Sequence, residues 1–210
     1  MNSTDVKVGI FGGTFDPPHV GHLLAASDAF EALELDRLVF VPNARQPLKT
    51  GTHQSLPDDR LAMVRLAVAG DPRFEVDPIE VERGGMSWSV DTLEAMAERG
   101  PDDERFFLVG ADVGATFSQW KEPRRIAALA RLAVLDRTVD GGDVAVTEEA
   151  TLAALAAVTG PEVPPPVMLR SRRVDVSSTE IRARVRDGRS IHGFVPDAVA
   201  RFIHERGLYR

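Results

Sequence analysis

The chain has 210 residues, enough for one domain with a sizeable core, and its 43% hydrophobic and 27% charged residues exclude a mainly disordered protein. Its formal charge of -7 argues against non-specific nucleic-acid binding, and the absence of cysteine excludes disulfides, thiolate metal sites and a Cys nucleophile. The polar N-terminus is no signal peptide, and no apolar run reaches the ~18 residues of a membrane span. We expect a cytoplasmic enzyme without nucleic-acid or membrane partners, able to form homo-oligomers.

Strand and helix patterns alternate along the chain. The first half predicts strands at 6–11 and 38–41, helices at 20–35, 57–69 and 89–99, a loop at 43–57 and an extended segment at 74–81. The second half predicts strands at 105–109, 132–135 and 167–176, and helices at 124–130, 147–158, 178–186 and 196–205. This order predicts a single α/β domain over 1–210, Rossmann-like, with a doubly wound parallel sheet, helices on both faces and closing C-terminal helices.

The first chemical motif is Gly-Gly-Thr-Phe-Asp-Pro-Pro-His-Val-Gly-His at residues 12–22. Two glycines after a strand let the backbone turn and approach a ligand closely, and the N-terminus of the following helix attracts anions. His19 and His22 lie three apart, so on a helix both rings occupy one face and can donate to phosphate oxygens. A plain turn and a metal-binding His pair are the alternatives, but no third ligand lies nearby in sequence. The whole combination favours stabilisation of phosphate charge during AMP transfer.

A second motif, Val-Ser-Ser-Thr-Glu-Ile-Arg at residues 176–182, opens a helix near the C-terminus. Hydroxyl side chains at this place are good helix N-caps. The same hydroxyls, the free N–H groups and the fork-shaped guanidinium of Arg182 also suit a second phosphate clamp. For this segment alone, capping and phosphate binding stay equally open.

Both motifs lie in a chain that resembles the adenylyltransferase branch of the nucleotidyltransferase superfamily, and more closely the bacterial nicotinate-nucleotide adenylyltransferases. The resemblance covers nearly the whole chain, from Val8 to Tyr209. Middle segments carry the closer match: Val-Pro-Asn to Lys at 41–49, Arg-Leu-Ala-Met-Val at 60–64, Ser-Trp-Ser-Val-Asp-Thr-Leu at 87–93, and Gly-Ala-Asp at 110–112 followed by Trp120.

The resemblance implies a reaction and a set of site residues. AMP would pass from ATP, accompanied by Mg²⁺, to nicotinate mononucleotide, which gives nicotinate adenine dinucleotide and pyrophosphate. The catalytic residues would be His19, His22 and Arg182. ATP would be bound by Gly12, Gly13, Thr14, Phe15, Gly110, Asp112, Ser177, Ser178 and Thr179. The second substrate would be bound by Asn43, Lys49, Trp88, Ser89 and Trp120, and no protein metal ligands are implied.

Two departures from the family pattern concern the acceptor pocket. Leu48 stands where the family often has a histidine, and Trp88-Ser89 replaces a commoner Tyr-Thr pair. Nicotinamide mononucleotide and phosphopantetheine are therefore alternative acceptors. A non-catalytic nucleotide sensor is the alternative from another class, although it would not need both His19 and His22.

Overall fold

The computed structural model describes residues 6–46, 55–110, 116–136, 144–172 and 174–210. Its sheet is formed by β1 (Lys7–Gly13), β2 (Arg37–Pro42), β3 (Phe74–Val76), β4 (Glu104–Gly110), β5 (Arg131–Asp136) and β6 (Val167–Arg170). The strands follow the order β3-β2-β1-β4-β5-β6, and all adjacent pairs are parallel. This is the doubly wound arrangement, so the predicted fold class is confirmed.

The helices are α1 (Val20–Ala32), α2 (Pro57–Val68), α3 (Ile79–Arg83), α4 (Ser89–Arg99), α5 (Pro123–Leu129), α6 (Val144–Thr159), α7 (Ser178–Arg186) and α8 (Asp197–Glu205). They cover both faces of the sheet. Because side chains alternate along a strand, Ile10 packs with α4, α5 and α6 on one face, whereas Phe11 packs with α1 and α2 on the other. A third apolar cluster joins α7 and α8 to Met63 of α2.

Two segments that the sequence predicts as extended are shorter strands. β3 stops at Val76, because Asp77 Oδ1 accepts the N–H of Ile79 at 2.9 Å and Pro78 begins the short helix α3. β6 ends at Arg170, and beyond it the N–H of Arg172 donates to Asp28 Oδ2 of α1 at 2.9 Å. In both places a side-chain acceptor takes the backbone donor that a longer strand would use.

The sheet has its topological switch point between β1 and β4. The chain leaves β1 toward α1 on one face, while the helices α4 and α5 that flank β4 in the chain pack on the other. Such divergence opens a crevice at the carboxyl ends of the two strands, where α/β proteins bind ligands. Gly12 and Gly13 end β1 there, and Gly110 ends β4.

Candidate active site

The end of β1 is shaped by Phe15. A Cβ on Gly13 would lie 2.7 Å from the Phe15 ring, so only glycine fits without a shift of that ring. Phe15 has a φ of 49°, and its side chain is 2% exposed and meets Phe11 edge-on at 5.6 Å between ring centroids. The Phe15 ring therefore belongs to the core. Its packing against Gly13 and Phe11 fixes the turn that leads into α1.

The two histidines meet at the start of α1. His19 is the N-cap residue and His22 is the third residue of the helix. Their ring centroids are 3.7 Å apart, and Nδ1 of His22 accepts the backbone N–H of His19 at 3.2 Å. Because Nδ1 accepts, Nε2 carries the hydrogen of the neutral His22 ring and is its donor. The predicted pairing of the rings at a helix N-terminus is confirmed.

Helix α7 holds the loop that precedes the His pair. Arg182 Nη1 donates to the carbonyl of Asp16 at 2.7 Å, and the Ser178 hydroxyl donates to the carbonyl of Pro17 at 2.8 Å. Arg182 Nη2 also donates to Thr179 Oγ1 at 3.2 Å. Ser177 caps α7, because its hydroxyl oxygen accepts the N–H of Glu180 at 3.1 Å. The two sequence motifs are thus in direct contact.

The same loop is anchored through the carboxylate of Asp16, which is 3% exposed. Asp16 accepts the Tyr209 hydroxyl at 2.6 Å and the N–H of Ser55 at 3.2 Å on its other oxygen. Burial, reinforced by the negative charge of Asp16, raises the pKa of Tyr209, so this phenol stays protonated and donating. Asp16 lies within the motif at residues 12–22 and Tyr209 lies 193 residues later, so no local pattern in the sequence pairs them.

Arg60 of α2 joins this loop to the one that follows β2. Its side chain is completely buried and donates to the carbonyls of Thr14 at 2.9 Å, Ala44 at 2.8 Å and Ser55 at 3.2 Å. It also donates to Asn43 Oδ1 at 3.0 Å. Desolvation lowers the pKa of Arg60 from a value so high that the guanidinium remains charged.

A cavity of about 390 Å³ lies at the switch point between β1 and β4. Seven of the residues that the sequence assigns to ligand binding line it: Gly12, Gly13, Asn43, Trp88, Ser89, Gly110 and Trp120. The cavity has the size of a small-ligand pocket, and its walls combine aromatic rings with a few polar groups. It stands beside the His pair rather than around it.

Two tryptophans line this cavity. Trp120 packs against Phe117 at 5.5 Å and edge-on against Phe107 at 6.2 Å between ring centroids. Trp88 is the N-cap residue of α4, and its ring is half-buried against the core. Both tryptophans therefore support the fold and also border the cavity, so packing and ligand contact are compatible for each.

A buried carboxyl group, Glu80 of α3, also borders the cavity. It is 7% exposed and accepts the Thr92 hydroxyl at 2.6 Å. The Ser87 hydroxyl accepts the N–H of Ala44 at 2.9 Å and also bonds to Glu80. Glu80 therefore connects the loop after β2 to the start of α4. Burial raises the pKa of Glu80, against the opposing effect of these two hydroxyl donors.

Comparison with known proteins places this geometry in a family. The family model described as cytidylyltransferase-like matches residues 10–184. A protein of Gemmatimonas aurantiaca named "Probable nicotinate-nucleotide adenylyltransferase" is 51% identical over 207 residues, which cover 98% of this chain and 93% of that protein. The chain belongs to the cytidylyltransferase-like family. It groups there with the nicotinate-nucleotide adenylyltransferases, since a relative of that name from Thermus thermophilus is 43% identical over 98% of this chain and its own full length.

Solved structures agree on the fold. The nicotinic acid mononucleotide adenylyltransferase of Plasmodium falciparum, in complex with NaAD, superposes with a TM-score of 0.75 at 16% identity, over 97% of each chain. The same enzyme complexed with APC gives a TM-score of 0.74 at 16% identity, again over 97% of each chain. The fold of this adenylyltransferase family therefore extends over nearly the whole chain.

The predicted site residues fall into three groups in this family member. One group lines the cavity at the switch point, as described above. A second group does not line the cavity and lies in the loop after β1 and at the N-termini of α1 and α7: Thr14, Phe15, His19, His22, Ser177, Ser178, Thr179 and Arg182. The third, Lys49 and Asp112, lies outside the described residues, as does Leu48. The ligand contacts of all three groups stay predictions.

Within the described residues, no group of three or more His, Cys, Asp or Glu side chains could hold a metal ion. Asp16, the carboxylate nearest the His pair in sequence, already accepts hydrogen bonds on both oxygens. These residues do not fit a metal held by the protein alone. Among the described parts of the chain, no helix is long and apolar enough to cross a membrane.

As pH rises, the free energy of unfolding of Glu80→Gln is expected to increase relative to that of the wild type. Because burial disfavours the carboxylate, the unfolded chain ionises first, near the ordinary value of 4.5. The contribution of Glu80 to stability is thus complete below that pH and is lost as pH rises through the higher folded pKa. Urea denaturation between pH 4.5 and 8 measures this, with Glu82→Gln on the same helix as surface control. A stability difference that does not change with pH would contradict the expectation.

Proposed function

We propose that this chain transfers AMP from ATP to nicotinate mononucleotide and releases nicotinate adenine dinucleotide and pyrophosphate. The family of the chain and the names of its relatives support this reaction. The observation that carries it is the close contact of the His19 and His22 rings at the N-terminus of α1, directly after a loop that α7 holds through the carbonyls of Asp16 and Pro17. One substrate's phosphates would meet the helix end while the other substrate fills the cavity.

The chemistry needs no protein nucleophile. An ionised phosphate oxygen of the acceptor attacks the α-phosphorus of ATP in line, a new P–O bond forms, and the bond to the β-phosphate oxygen breaks as pyrophosphate leaves. The enzyme has to hold the two substrates in line and stabilise the charge that moves onto pyrophosphate. Mg²⁺, bound as MgATP, would supply charge neutralisation at the phosphates.

The phosphate side of the site is formed by β1, α1 and α7. His22, whose Nε2–H points away from its bond to His19, is proposed to donate to the departing phosphates. Arg182, which donates to the Asp16 carbonyl, is proposed to donate to a phosphate oxygen when ATP binds. The remaining ATP contacts are proposed for backbone and side chains of Gly12, Gly13, Thr14, Phe15, His19, Gly110, Asp112, Ser177, Ser178 and Thr179.

The acceptor side is formed by the loop after β2, the start of α4 and the segment before α5. Asn43 is proposed to bind the mononucleotide phosphate together with Lys49, and its amide is already oriented by Thr14 at 3.2 Å and Arg60 at 3.0 Å. The pyridine ring is proposed to stack on Trp120 in the cavity. Trp88 and Ser89 are proposed to border the substituent of that ring.

Pyrophosphate release tests the proposal. The purified protein is given MgATP with nicotinate mononucleotide, nicotinamide mononucleotide or phosphopantetheine in parallel, and with no acceptor as blank. Highest kcat/KM with the nicotinate form is expected. Preference for another acceptor would retain the phosphate-side assignment and overturn the acceptor. No release with any acceptor, while ATP still binds, would indicate a nucleotide sensor instead.

A further inference from the structure

The switch-point cavity has a simple charge pattern. Among the described residues that line it, the ionisable ones are Glu80 and Lys121. Glu80 is buried and bonded to Thr92 and Ser87. Lys121 lies at the rim with 41% of its side chain exposed. Among the described lining residues, the positive charge is thus that of Lys121.

Lys121 spans the two walls of the cavity. It follows Trp120 in the chain, yet its Nζ lies 2.7 Å from Asp91 Oδ1 in the first turn of α4, two residues after Ser89. The same Nζ lies 5.9 Å from the centre of the Trp88 ring. A long, flexible and half-exposed lysine can rotate from Asp91 toward a ligand in the cavity, since exposed ion pairs hold weakly.

The acceptors that the proposed function must tell apart differ mainly in charge. A pyridine carboxylate and the corresponding carboxamide have nearly the same shape, so the aromatic part of the cavity wall discriminates poorly between them. A positive charge near the ring substituent attracts the carboxylate and gives the amide no matching gain. Charge is therefore the property by which this cavity can select.

We propose that the Lys121 ammonium selects acceptors whose pyridine ring carries a carboxylate, and that Asp91 holds this ammonium at the rim until the acceptor binds. The inference rests on the proposed function and names the group that sets its specificity. Lys121 acts by direct attraction to the ring carboxylate. Asp91 competes with that carboxylate and acts through Lys121.

The test compares kcat/KM for nicotinate mononucleotide with kcat/KM for nicotinamide mononucleotide. In Lys121→Met this ratio is expected to fall about 3-fold, through a higher KM for the nicotinate form, which is the size of effect that the loss of one half-exposed ion pair produces. Lys121→Arg is expected to retain most of the ratio. Asp91→Asn frees Lys121 and is expected to raise the ratio. High salt is expected to lower the wild-type ratio more than that of Lys121→Met, because salt screens an exposed charge.

Arg125→Met is the matched control. The Arg125–Glu94 pair joins α5 to α4 at 2.8 Å, much as Lys121–Asp91 joins the same region, but neither residue lines the cavity. If Lys121→Met leaves the ratio unchanged, or if Arg125→Met lowers it as much as Lys121→Met does, the inference is overturned. If the wild type itself shows no preference for the nicotinate form, the proposed function fails first, and the two failures are distinguishable.

Discussion

His22→Ala is expected to lower kcat by about 10²–10³-fold, the usual loss when one preorganised donor to developing charge is removed. His22 is the third residue of α1, and its Nδ1 is occupied by the N–H of His19, so the ring presents Nε2–H in a fixed direction. The positive end of the α1 dipole acts at the same place. Because charge on the leaving pyrophosphate develops in the transition state, the loss falls mainly on kcat.

Steady-state pyrophosphate release as a function of ATP concentration measures this effect. The KM for ATP is expected to change much less than kcat, since the glycine turn and α7 would still border the proposed phosphate site. His204→Ala, on the surface of α8, is the matched control and should retain wild-type turnover. Turnover of the folded His22→Ala protein close to the wild-type rate would remove His22 from the catalytic step.

The parts of the site that sequence could predict are those whose signal is local. The apolar runs of β1, β2, β4 and β5 indicate the parallel sheet, because burial on both faces requires continuous hydrophobic strands. The Gly-Gly turn and the three-residue spacing of His19 and His22 place both rings at one helix end. The resemblance to the family added the acceptor side, where Trp88 and Trp120 do line one cavity.

The parts that sequence could not predict depend on distant contacts. Tyr209 meets Asp16 across 193 residues, and no periodicity or spacing announces such a pair. The residue types around Glu80 favour an extended segment. Asp77 and Pro78 instead turn the chain into α3. On α2, Arg60 has the pattern of an ordinary surface arginine, and only the tertiary fold buries it. Local sequence patterns therefore do not predict the hydrogen-bond network that supports the proposed ligand-binding residues.

Arg60→Met is expected to have the largest effect on stability. The substitution removes the donors to the carbonyls of Thr14, Ala44 and Ser55 and to Asn43 Oδ1 in a fully buried position. Each orphaned buried acceptor costs about 1–3 kcal/mol, partly offset because a methionine needs no desolvation of a charge. We expect a net loss of about 2–4 kcal/mol in the free energy of unfolding, and a fall in Tm of roughly 10 °C.

Arg60→Met should also weaken the binding of the mononucleotide substrate. Arg60 and Thr14 both bond to Asn43, so their loops lose a shared anchor and the KM for the mononucleotide should rise together with the loss of stability. Arg65→Met, on the same helix but exposed, is the matched control and should change stability by less than about 0.5 kcal/mol. Arg60→Lys keeps the charge but lacks the fork that reaches several carbonyls at once, so its Tm should lie between those of Arg60→Met and the wild type. Equal stability of Arg60→Met and Arg65→Met would show that water replaces the guanidinium at these acceptors, and that the loops position Asn43 without it.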